Sequence, residues 1–153
     1  MSTADSIAAD RELAVTRIIP APRALVFAAW TDPDHVARWW GPRGFVTTFC
    51  EMEIRPGGAY RVCMRSPEGS DHWKRGVYRE IVVPERIVFT FAWEDENGRP
   101  GHQTLVSVTF EDLGAMTRLT LRQSGFDAVE NRDSHIKGWS SCLERFAEYA
   151  ASI

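Results

Sequence analysis

Lysine is almost missing: Lys74 and Lys137 are the only two, and the other members of the eighteen basic residues are arginines. We read that skew as a habit of composition rather than a binding site. Against 21 acidic residues the net charge is −3, so the basic surplus of nucleic-acid and membrane-surface binders is absent. Cysteine is scarce as well. Cys50, Cys63 and Cys142 are odd in number, widely spaced and without a CxxC pair, which argues against a disulfide framework and for a reducing cytoplasm. The longest apolar run, Ala24 to Trp30, falls far short of the ~20 residues that span a bilayer. No basic segment leads into an apolar stretch at the N-terminus, so no signal peptide is expected. His35, His72, His102 and His135 lie scattered without metal-ligand spacing, and neither metal nor cofactor is expected. There is no GxSxG motif, and Gly57-Gly58 lacks the flanks of a phosphate-binding loop and reads as a hairpin turn.

What is present is one domain's worth of ordinary globular chain. The 153 residues are 44% apolar, long enough to bury a core without disulfides or metal. Six tryptophans and eight phenylalanines are the unusual weight, able to fill a core or line a cavity. Residues 1–11 are Ser/Ala/Asp-rich and aperiodic, the expected tail of a single domain over 12–153. Glu12–Ile19 alternates as a strand, and Pro22 opens a short helix striped by Val26, Phe27 and Trp30. Thr31 or Asp32 caps a second short helix that stops near Trp40, at Gly41-Pro42. From Phe45 to Gly125 the period is two, and turns divide the segment into six strands joined as an antiparallel meander. After Phe126 the period becomes helical. Asp127 with Glu130 fits a capping box, and Ile136, Trp139, Leu143, Phe146 and Ala150 form one apolar face. Gly138 inside that helix suggests close approach to the sheet.

Several segments in this order resemble the START-like (SRPBCC) superfamily. They are Pro22 with Val26-Phe27-Ala28-Ala29-Trp30, Trp39-Trp40-Gly41-Pro42, Glu53-Ile54-Arg55-Pro56-Gly57-Gly58, Gly76-Val77-Tyr78-Arg79-Glu80-Ile81, Pro84-Glu85-Arg86-Ile87-Val88-Phe89, Thr117-Arg118-Leu119-Thr120-Leu121 and Gly138-Trp139. The branch resembled is the one related to the C-terminal domain of the activator of the ninety-kilodalton heat-shock chaperone's ATPase. The resemblance implies an α+β helix-grip fold. That fold is a seven-stranded curved antiparallel sheet around a long C-terminal helix, with two short helices between strands 1 and 2. Patterning supports this independently, since one amphipathic helix is the natural cover for one apolar sheet face.

Between sheet and helix the expected ligand-binding residues are Trp39, Trp40, Tyr60, Val62, Met64, Tyr78, Phe89, Phe91, Trp93, Gln123, Trp139 and Leu143. Apolar walls with a few polar handles are the commonest form of small-molecule site. Whether Tyr78 or Val77 points inward is open at this stage. Gln123 and Tyr78 would orient a polar group on the ligand. Glu80 and His135 are candidate catalytic groups. Glu80 either approaches the interior with a raised pKa or pairs with an arginine at the sheet rim. Cys142 reads as core filler, and Glu94-Asp95-Glu96 as a solvated loop. The first expectation for function is binding of a small, largely apolar ligand. The alternatives are a chaperone-interaction module, which the lack of a separate N-terminal chaperone-binding domain weighs against, and a cyclase- or dehydratase-like enzyme. A homodimer is left open.

Overall fold

The computed structural model describes residues 11–153. All of the expected tail but Arg11 therefore lies outside the described residues. β1 (Leu13–Ile19) is followed by α1 (Arg23–Trp30) and α2 (Pro33–Val36). Six strands come next: β2 (Val46–Met52), β3 (Ala59–Arg65), β4 (Asp71–Val82), β5 (Arg86–Trp93), β6 (Thr104–Leu113) and β7 (Met116–Ser124). The chain closes with α3 (Val129–Ser152). The strands form one antiparallel sheet in the order β1-β7-β6-β5-β4-β3-β2, curved around α3. The expected helix-grip architecture is the one observed.

Strand alternation sends Tyr60, Val62 and Met64 of β3 inward, with Tyr78 of β4 and Phe89 and Phe91 of β5. Tyr78 is buried and Val77 is exposed, which settles the choice between them. The helix stripe meets this face through Trp139, Leu143, Phe146 and Ala150, all buried. Trp139 lies between two other indoles, 6.3 Å from Trp30 and 6.2 Å from Trp40 by ring centroids. Gly76 sits opposite Tyr60 across the β3–β4 ladder. With no side chain at Gly76, the Tyr60 ring crosses the strand and its hydroxyl donates to the Thr90 carbonyl at 2.6 Å.

Local chemistry departs from the sequence pattern at three places. Asp32 does cap α2, accepting from the Asp34 N–H at 2.9 Å, but α2 ends at Val36 and turns carry the chain on to Trp40. No capping box starts α3. Its N-cap is Ala128 with no side-chain cap, and Asp127 instead accepts from Asn131 Nδ2 at 2.6 Å. The acidic run is not a uniformly solvated loop either. Glu94 is shielded from solvent beneath Arg61, which donates two hydrogen bonds of 2.7 and 2.8 Å to its carboxylate. The Arg61 guanidinium in turn lies 3.9 Å over the Trp73 ring. Its charge and hydrogen bonds hold the Glu94 carboxyl below the usual carboxylate range.

Candidate functional site

A cavity of about 510 Å³ opens between the N-terminal half of α3 and the β3–β5 part of the sheet. Its walls are Trp40 from the turns after α2, Met64 of β3, Phe91 and Trp93 of β5, and Trp139 and Cys142 of α3. Exposed His72, His102, Asp127, Asn131 and Ser134 form the rim. Gly138 also faces this space. A Cβ built there would meet no atom within 4 Å, so the glycine widens the cavity rather than permitting close approach to the sheet.

Five of the twelve expected ligand-binding residues line the cavity: Trp40, Met64, Phe91, Trp93 and Trp139. Trp39, Tyr60, Val62, Tyr78, Phe89 and Leu143 share the same interior but belong to its close-packed end. The void left there, beside Trp39, Tyr78 and Phe89, is only about 10 Å³. Gln123 sits behind the wall, 1% exposed, with both its amide oxygen and its amide nitrogen engaged. Its Oε1 accepts from Trp139 Nε1 at 2.8 Å and from His135 Nδ1 at 3.2 Å, and its Nε2 donates to Thr104 Oγ1 at 2.8 Å. Gln123 thus locks helix to sheet, and its amide is not a free handle for a ligand.

The two catalytic candidates are placed far apart in character. Glu80 pairs with Arg86 at the sheet rim and is half exposed. The cause is a bulge: Tyr78 faces Phe89 while Glu80 faces Val88, so one extra residue, Arg79, breaks the parity that would have turned Glu80 inward with Tyr78. His135 stands at the cavity, but both ring nitrogens are engaged. Nδ1 donates to Gln123, and Nε2 accepts from Trp93 Nε1 at 3.1 Å. That network requires the neutral Nδ1–H tautomer. Burial, with a smaller effect from Lys74, lowers the imidazole pKa and favours the same form. Cys142 accepts from the Gly41 N–H at 3.4 Å and is pushed up to about 11 by burial, an unreactive thiol.

The residue missed in the sequence is Lys74. It is 2% exposed and lines the cavity, with Nζ 3.8 Å from the centroid of the Trp40 ring and 3.8 Å from Met64 Sδ. Among the described residues no carboxylate forms an ion pair with it. A signal was available. Lys74 shares strand parity with Gly76 and Tyr78, so an inward Tyr78 places the lysine inward too.

Burial pushes Lys74 down to about 7 from an ordinary 10.5. In that interval the unfolded chain holds a proton that the folded chain has released. Stability therefore rises with pH, by about 1.4 kcal/mol per unit. Urea midpoints measured at pH 7, 8 and 9 should climb accordingly, and Lys74→Met should be flat over this range and more stable than the parent at pH 7. Above pH 9 the raised thiols of Cys50 and Cys142, both near 11 when folded, work in the opposite sense. A parent protein with no rise from pH 7 to 9 would refute the depressed ammonium.

A curved sheet gripping one long helix over a lined cavity defines a START-like domain, of the ligand-binding type in general architecture. The chain belongs to the family described as Activator of Hsp90 ATPase homolog 1-like protein, whose family model matches residues 20–151. Solved structures agree. A protein from Chromobacterium violaceum is 27% identical with a TM-score of 0.83, covering 92% of this chain and 97% of its own. One from Arthrobacter aurescens is 25% identical with a TM-score of 0.85, covering 95% and 89%. The AHSA1 protein from Silicibacter pomeroyi is 25% identical with a TM-score of 0.83, covering 92% and 97%. No match to a curated protein was found. No helix among the described residues is long and apolar enough to cross a membrane.

Proposed function

We propose that the chain binds a small, largely apolar ligand in the cavity between α3 and the sheet. The observation that carries this reading is the cavity itself. A space of about 510 Å³ with three indoles in its wall is large enough for an aromatic or short aliphatic molecule. Affinity would come from apolar surface removed from water, at ~25 cal/mol per Å² before the costs of binding. The three cysteines are free thiols, which supports residence in a reducing cytoplasm.

Gly138 supplies the test. In Gly138→Met the new side chain enters open space from the helix and occupies the site without touching the close-packed end. A neutral apolar fluorophore such as N-phenyl-1-naphthylamine should bind the parent with one site and accept energy from the wall tryptophans. Gly138→Met should weaken that binding at least about tenfold, equivalent to 1.4 kcal/mol. The same substitution should raise helix stability by about 0.5–1 kcal/mol, because glycine is the poorer helix former. Unchanged probe affinity in a stable Gly138→Met protein would place the site elsewhere and defeat the proposal.

A further inference from the structure

Among the described residues Lys74 has no carboxylate to pair with. A fully buried lysine ordinarily has an anionic partner, because an ion stripped of water is costly to hold. Here its surroundings are the Trp40 face at 3.8 Å, the Trp93 ring at 6.0 Å and the Met64 sulfur at 3.8 Å. The indole faces favour the protonated form but provide no hydrogen-bond acceptor for its three N–H groups. The side chain reaches the cavity from the sheet, so the missing acceptor can arrive only from the cavity side.

Resting on the ligand-binding reading above, we infer that Lys74 selects the ligand's chemistry: an apolar monocarboxylic acid whose carboxylate pairs with Nζ while its body packs on the indoles of Trp40, Trp93 and Trp139. One negative charge fits the site and two do not. Among the described residues Lys74 is the only lysine or arginine lining the cavity, and Asp127 at the rim would repel a second negative charge. A phosphate monoester dianion would keep one charge uncompensated in an apolar space.

The other titratable groups around Lys74 do not substitute for the carboxylate. Cys50 on β2 and Cys142 on α3 are held as neutral thiols, each near 11. His135 on α3 is held neutral by burial and its two hydrogen bonds. His72, earlier on β4, and His102 and Asp127, in the loops around α3's start, stand at the rim. Because Lys74 titrates near 7, a bound carboxylate should draw a proton onto it at neutral pH.

The experiment compares acids with their neutral amides: 2-naphthylacetate with 2-naphthylacetamide, and octanoate with octanamide. Binding is followed by tryptophan fluorescence and calorimetry at pH 6.5 and 8.5. The parent should prefer each acid by about 10- to 100-fold at pH 6.5, the worth of a charged hydrogen bond in a dry site. That preference should shrink by at least about tenfold at pH 8.5, where the lysine is neutral. Calorimetry at pH 7.5 in phosphate and in Tris should differ by the buffer's ionisation heat, showing proton uptake. Lys74→Met should lose the preference for acids, binding each acid and its own amide within about threefold of one another. Equal binding of acid and amide by the parent overturns the inference while leaving the cavity reading intact, as does an acid preference that persists in Lys74→Met. Silence of every acid and amide together with the neutral fluorophore overturns both.

Discussion

Gly76→Ala should cost more than about 4 kcal/mol, a loss reached only when a mutation meets a fixed obstacle. A Cβ at this position would come 1.8 Å from the Thr90 carbonyl oxygen and 2.7 Å from Tyr60 Cε1. The first obstacle is backbone of the neighbouring strand, so relief requires parting β4 from β5. The second is a ring held in place by its own hydrogen bond to the same carbonyl. Soluble yield and a urea transition are the measurements. The double variant Tyr60→Ala/Gly76→Ala separates the causes: it should not recover the loss, because the carbonyl remains. A Gly76→Ala protein with the parent's midpoint would show that the strands separate there at little cost.

Trp139→Ala should cost about 3–5 kcal/mol, as truncation of large buried aromatics does. Trp139 is 5% exposed and stacks on both Trp30 and Trp40, so its removal takes one aromatic neighbour from each indole. It also removes the N–H that donates to Gln123 Oε1 at 2.8 Å. Trp139→Phe keeps most of the volume and should lose about 1–2 kcal/mol, for the hydrogen bond and the smaller ring. Denaturant midpoints of the two variants therefore divide packing from hydrogen bonding. Equal losses for both would mean that the Gln123 contact, not the stack, dominates.

Much of this architecture is legible in the chain because period is a strong local signal. The alternation of Tyr60, Val62 and Met64 and the stripe from Ile136 to Ala150 each name an inner face without tertiary information. What escaped was set by single residues acting on that pattern. The extra residue at Arg79 moves Glu80 to the rim, and no period calculation sees a bulge. Lys74 is a charged residue in an alternating strand, where charge ordinarily marks the outer face, and only its parity with Tyr78 says otherwise. Asp127 met the letter of a capping box, yet its carboxylate is taken by Asn131. Where the cavity lies along the helix was not readable at all. Trp40 and Tyr60 are alike in composition terms, and only packing decides that one lines a space while the other fills it.

The pairing of β1 with β7 has a consequence for how the protein is made. Ile19 meets Thr117 in this ladder, so roughly 100 residues separate the partners. At about 5–20 residues per second, the first strand waits roughly 5–20 s on the ribosome before its neighbour has been synthesised. Until then Leu13, Val15 and Ile19, all buried in the finished sheet, have no β7 to pair with. The meander from β2 to β6 can assemble hairpin by hairpin as it emerges, whereas closure of the N-terminal edge is a late, long-range event. Nascent chains stalled before β7 should accordingly be the species that needs a holdase, and release of the last forty residues should end that need at once.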